Sequence, residues 1–173
     1  MNWIKSNKLD KTLVVDGVIT LLIMGMIFAF SAQDATESSA LSDGLAYRII
    51  DGVRSFIPGM TMDTMTFVIR KMAHFTEYTV LGIFVTRTAQ DVRRLVESAE
   101  QKGAAALRNA YTKAWSLGII YATSDEYHQY FVPGRACQFR DVCIDSAGVL
   151  LGVLLVWCLS GRRKGAKEET TEK

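Results

Sequence analysis

The chain has 173 residues, 49% of them hydrophobic, and a formal net charge of +2, which is the length of one domain and too even a balance to imply a polyanionic partner. Neither a nucleotide motif nor an internal repeat is present, so nucleic acid is not an expected partner. Three cysteines (Cys137, Cys143, Cys158) with no C-x-x-C spacing exclude a disulfide framework.

The apolar residues are clustered. Leu13–Phe30 is a run of 18 residues with one charge, Asp16. At about 1.5 Å per residue it reaches roughly 27 Å, enough to cross the hydrocarbon core. Lys5, Lys8 and Lys11 precede it as in a signal peptide, but the run exceeds the usual apolar stretch of one, so an uncleaved first span is expected. Asp16 falls near its inner end, where it should reach the cytoplasmic interface.

In the segment 31–65, Leu41, Leu45, Ile49, Val53 and Phe56 recur at helical spacing until Pro58-Gly59 stops the pattern. This predicts an amphipathic external helix, either lying on the outer membrane surface or packed on the bundle. A second span is expected at about 66–85 and a third at about 114–131, each apolar at one end and charged at the other. The loop between them is charged and Ala-rich, reads as helical extensions of both spans, and should break at Lys102-Gly103. Val142–Leu159, again 18 residues with one charge (Asp145), is the fourth. Cys143 and Cys158 lie in this run and read as small buried hydrophobes. Residues 1–160 thus form a transmembrane domain, and the tail 161–173 is polar and expected to be disordered.

Basic residues decide between two spans and four. With four, one side receives three Lys/Arg before span one, six in 87–113 and five in the tail. The other receives Arg48, Arg54, Arg135 and Arg140. Two spans would leave 31–140 external with 12 basic residues. The expected architecture is therefore all-α, integral to the membrane, with four transmembrane helices and both termini cytoplasmic.

That topology gathers the polar residues. Both histidines of the chain lie among acids in expected spans: His74 with Arg70, Lys71 and Glu77, and His128 with Asp125, Glu126 and Gln129. Charged groups cost ~2.5–3.5 kcal/mol each at the membrane centre, so a concentration of them implies use. Residues 70, 74, 77 and 81 share one helical face in the outer half of span two. Asp125, Glu126, His128 and Gln129 close span three on the same side. Asp141 and Asp145 open span four at i, i+4, and their face continues as Gly148 and Gly152, a G-x-x-x-G that admits a close helix neighbour. Arg135 and Arg140 sit in or beside the connecting turn.

These blocks are familiar. Lys71-x-x-His74-Phe75-x-Glu77-Tyr78-x-x-Leu81-Gly82 resembles the first signature of the VanZ-like family of small bacterial membrane proteins. Asp125-Glu126-x-His128-Gln129-x-Phe131-x-Pro133-Gly134-Arg135, followed by Asp141-x-x-x-Asp145-x-x-Gly148-x-x-x-Gly152, resembles its second. The resemblance covers roughly residues 13–157; the 87–113 segment, longer than expected for the family, and the basic tail depart from it. It implies a multi-pass protein of the bacterial cytoplasmic membrane, related to proteins that raise resistance to teicoplanin-type glycopeptides. It supplies no reaction.

Three readings of the polar cluster follow. As an enzyme acting on an envelope lipid or lipid-linked precursor, His74 and His128 serve as general base or nucleophile. Glu77, Asp125, Glu126, Asp141 and Asp145 serve as acids or orienters, and Arg70, Gln129, Arg135 and Arg140 hold an anionic head group. A divalent metal is a variant of this reading, because His74-x-x-Glu77 and Asp125-x-x-His128 each present two ligands on one helical face. As a non-catalytic binder, the cluster captures a head group or the lipoglycopeptide itself. As a structural network, Arg70 pairs with Glu77 or Asp141 and Arg135 with Asp145; buried pairs do little for stability, which argues against that role alone.

Overall fold

The structure of the protein is a computed structural model that describes residues 2–96 and 104–171. It is all-helical, 87% helix, with no strand among the described residues. Five helices follow in order: α1 (Asn2–Ser31), α2 (Ala35–Phe56), α3 (Met62–Val96), α4 (Ala104–Gln129) and α5 (Phe139–Thr171).

The apolar runs of α1 and α5 make these the two described helices long and apolar enough to cross a membrane. α3 and α4 carry too much charge to pass the same test, so hydropathy yields two spans where the sequence reading expects four. The surface of α1 and α5 is apolar: Leu21 is 69% exposed and Trp157 56%, a face that water would not favour and lipid would.

Contacts between helices fix their directions. Asp16 and Thr20 of α1 meet Arg87 and Thr88 of α3, while Ser31 meets the neighbourhood of Tyr78, so α1 and α3 are antiparallel. Tyr121 donates to the Met24 carbonyl at 2.6 Å and Ser31 to Asp125 at 2.8 Å, so α1 and α4 run the same way. Lys71 faces Asp141 and His74 faces Asp145, so α3 and α5 are also parallel. The four helices form an up-down bundle with α3 at its centre. Its core is Ile23, Ile27, Tyr78, Leu81, Val85, Ala114, Ala122, Val149 and Val153.

Glycine sets how closely α3 and α5 approach. A Cβ on Gly148 would stand 2.6 Å from the Phe75 carbonyl oxygen, and one on Gly152 would strike the Thr79 carbonyl oxygen. The G-x-x-x-G face of α5 therefore lies directly on the backbone of α3, as its spacing predicts.

α2 begins at Asp34, whose side chain caps it by accepting from the amides of Thr36 at 2.8 Å and Glu37 at 2.9 Å. It packs on the start of α3 through Ala46, Ile50 and Met65, with Val53 alongside. Of the apolar stripe read from the sequence, Val53 packs on α3, while Leu45, Ile49 and Phe56 stay exposed.

The structure bears on four other expectations. Asp16 is buried and accepts from Arg87 Nε through Oδ2 at 2.8 Å. Cys143 and Cys158 are exposed on α5 rather than buried. The segments flanking the internal loop are helical, as expected, but the break foreseen at Lys102-Gly103 lies outside the described residues. The tail foreseen as disordered continues α5 as far as Thr171.

Candidate functional site

Asp125 is the hub of the polar cluster. It projects from the last turn of α4 and is 2% exposed. One oxygen, Oδ2, accepts from Ser31 Oγ at 2.8 Å, Tyr78 Oη at 3.1 Å and Gln129 Nε2 at 3.2 Å. The donors come from α1, α3 and α4, so three helices converge on one atom. The other oxygen, Oδ1, is buried with no hydrogen-bond partner.

Gln129 extends the network outward. Its amide nitrogen also reaches Ser31 Oγ at 3.3 Å, and its carbonyl accepts from Arg135 Nη1 at 3.1 Å. Arg135 is brought back over the bundle by the Val132–Arg135 turn, in which Gly134 takes φ +75, a conformation that glycine adopts freely. Its Nη2 donates to the Phe30 carbonyl at 3.4 Å. Burial, and after it the charge of Arg70, hold the Arg135 guanidinium below its ordinary value.

His74 and Asp145 lie on the α3–α5 seam beside Asp125. His74 Nδ1 is 3.9 Å from Asp145 Oδ1, too far for a hydrogen bond, and Asp145 is 2% exposed. One ligand atom from each of His74, Asp125 and Asp145 falls within 4.8 Å of the others. One turn outward, Lys71 Nζ bonds Asp141 Oδ2 at 2.5 Å. Lys71 and Arg140 share the ring of Phe67 as a cation–π partner, at 5.5 and 5.0 Å. Glu126 is buried and accepts from the Gln138 amide at 3.4 Å.

Of the residues singled out in the sequence, His74, Asp125, Gln129, Arg135 and Asp145 meet in one place, with Asp141 and Glu126 on the flank. Four stand apart. His128 turns to the ring of Phe28, centroids 4.2 Å apart, and its buried Nδ1 has no partner. Glu77 and Arg70 are half-buried and make no hydrogen bond or ion pair among the described residues. Arg140 is exposed, donates to the Gln138 side chain at 3.0 Å and lies 3.8 Å from Asp141 on the flank. The ion pairs foreseen for Arg70 and Arg135 are not those formed; Lys71 takes Asp141 instead.

Two participants carried a signal that went unused. Tyr78 stands at i+4 from His74, and a tyrosine within an apolar run needs a partner for its hydroxyl. Lys71 stands opposite Asp141 once α3 and α5 are aligned by Gly148 and Gly152.

The family model described as VanZ/LLP1 matches residues 17–160. The chain belongs to the VanZ-like family. Among the curated proteins and the solved structures, nothing matches significantly. The matched region of this VanZ-like chain runs from α1 to the apolar part of α5 and contains every residue of the polar cluster. With its two apolar helices, membership makes it a membrane protein.

Proposed function

We propose that this VanZ-like chain is a four-span protein of the bacterial cytoplasmic membrane, with both termini in the cytoplasm and its polar site in the outer half of the bilayer. The site acts on the phosphate-bearing head group of an envelope lipid or lipid-linked precursor, and so contributes to teicoplanin-type glycopeptide resistance or to envelope upkeep.

The observation that carries this reading is the state of Asp125. Three helices spend donors on one oxygen of a buried carboxylate that lies close to His74 and Asp145, and leave its other oxygen without a partner. A brace would use both oxygens; a working group keeps one. His74 and Asp145 stand against the head group, and Arg135 is the cation that receives the phosphate. The four-span topology is supported by the packing of α3 and α4 alongside α1 and α5 in alternating directions, and by the distribution of Lys and Arg. α2 then lies outside, with the exposed Leu45, Ile49 and Phe56 available to the membrane surface.

Capture without turnover is the second reading, favoured by the closed chain Arg135–Gln129–Asp125, which already satisfies itself. Teicoplanin susceptibility separates them in a host expressing wild type, His74→Ala or His128→Ala, with membrane abundance measured in parallel. Wild type is expected to protect, His74→Ala to return the host to the susceptibility of cells lacking the protein, and His128→Ala to protect like wild type. Protection that rises in proportion to copy number marks a binder, whereas a plateau at low copy number marks a catalyst. Protection by His74→Ala equal to wild type contradicts the assignment of the site.

A further inference from the structure

We infer that His74, Asp125 and Asp145 bind one divalent cation of the Mn2+ or Zn2+ kind, held between α3, α4 and α5. This deepens the proposed function and rests on its site, because such an ion would be the Lewis acid that grips a phosphate oxygen there.

The ligand set is mixed nitrogen and oxygen, one imidazole and two carboxylates, which suits these ions. Their bonds of about 2.0–2.2 Å put neighbouring ligand atoms roughly 3–3.5 Å apart. The three ligand atoms lie within 4.8 Å of one another, so rotamer adjustments on the order of 1 Å close the site. The contact between His74 Nδ1 and Asp145 Oδ1, 3.9 Å, is too long to be a hydrogen bond and too short for either group to be indifferent to the other. An ion between them accounts for both.

Charge points the same way. Asp125 and Asp145 are each 2% exposed, and no Lys or Arg among the described residues stands within ion-pair distance of either. Lys71 is already engaged by Asp141. A dication would balance the two buried carboxylates at contact distance, whereas Lys71 and Arg135 act on them only from further off.

The independent observation is Asp125 itself. Ser31, Tyr78 and Gln129 all donate to Oδ2, which fixes the plane of the carboxylate, while Oδ1 is buried and unpartnered. That is the outer hydrogen bonding of a monodentate metal ligand, with one oxygen oriented and the other kept for the ion. The pairs read from the sequence, His74 with Glu77 and Asp125 with His128, are not the set; the ligands come from three helices.

The test is metal content of the purified full-length protein in detergent, equilibrated with MnCl2 or ZnCl2, freed of loose ion and measured by elemental mass spectrometry. Wild type and His128→Ala should retain close to one equivalent. His74→Ala and Asp145→Asn, if they elute as folded protein, should bind at least tenfold more weakly. X-ray absorption of the zinc-loaded wild type reads the site without a variant and should show one imidazole with oxygen neighbours. Wild type that retains no ion, folded variants that load like wild type, or a coordination sphere containing sulfur or two imidazoles would each overturn the assignment. Ion content and teicoplanin protection are separate readouts, so loss of protection with ion retained, or the reverse, tells which of the two ideas has failed.

Discussion

His74 and His128 look equivalent in the sequence, each three residues from an acid, yet the fold treats them differently. Position along the helix decides it: His74 faces the α5 seam and Asp145, while His128 faces Phe28 of α1. Local spacing cannot tell these apart, because the partner that matters lies on another helix. Asp125 was legible as polar in an apolar setting, but its three donors, one of them Tyr78, required the helices to be placed. Tyr78→Phe removes a single donor while keeping the ring in the core. It should cost about 0.5–1.5 kcal/mol, read as a lowered melting temperature in detergent. The small size follows from Ser31 and Gln129, which still hold Oδ2. An unchanged melting temperature would mean that the Tyr78 hydroxyl is not bonded to Asp125.

At the scale of helices, the pairing of α3 with α5 sets the site, because it brings Lys71 to Asp141 and His74 to Asp145 in one register. The G-x-x-x-G spacing announced a close approach but not which helix would make it. Gly152→Val drives two methyl groups into the backbone of α3 at Thr79 and Ile83, and overpacking of this kind costs about 1–3 kcal/mol. It should lower both the melting temperature and the yield of folded protein. Gly25→Ala is the matched control, since a Cβ there meets nothing within 4 Å, and it should behave as wild type. Equal loss from both substitutions would point to a general intolerance of change instead of the α3–α5 contact. Of the stripe read for α2 from periodicity, Val53 packs on α3 and Leu45, Ile49 and Phe56 do not, because the helix has two apolar faces. One packs on α3 and the other stays exposed.

Across the whole molecule, hydropathy finds two spans and the distribution of basic residues argues for four. The difference has a physical origin. If α3 and α4 cross as well, the buried Asp125 and Glu126 of α4 and the pair of Lys71 on α3 with Asp141 on α5 carry charge without presenting it to lipid. A window average cannot register which way a side chain points. If four helices cross, Asp125, His74 and Asp145 share the outer half of the bilayer; if only α1 and α5 cross, α3 and α4 lie outside the membrane with the rest of 31–140, and the site is not within the bilayer. Reporter fusions after Met60 and after Lys102, each an enzyme active on only one side of the membrane, measure this directly. The four-span arrangement predicts an external signal after Met60 and a cytoplasmic one after Lys102. Both reporters on the same side would contradict it, and with it the placement of the polar site in the outer half of the bilayer.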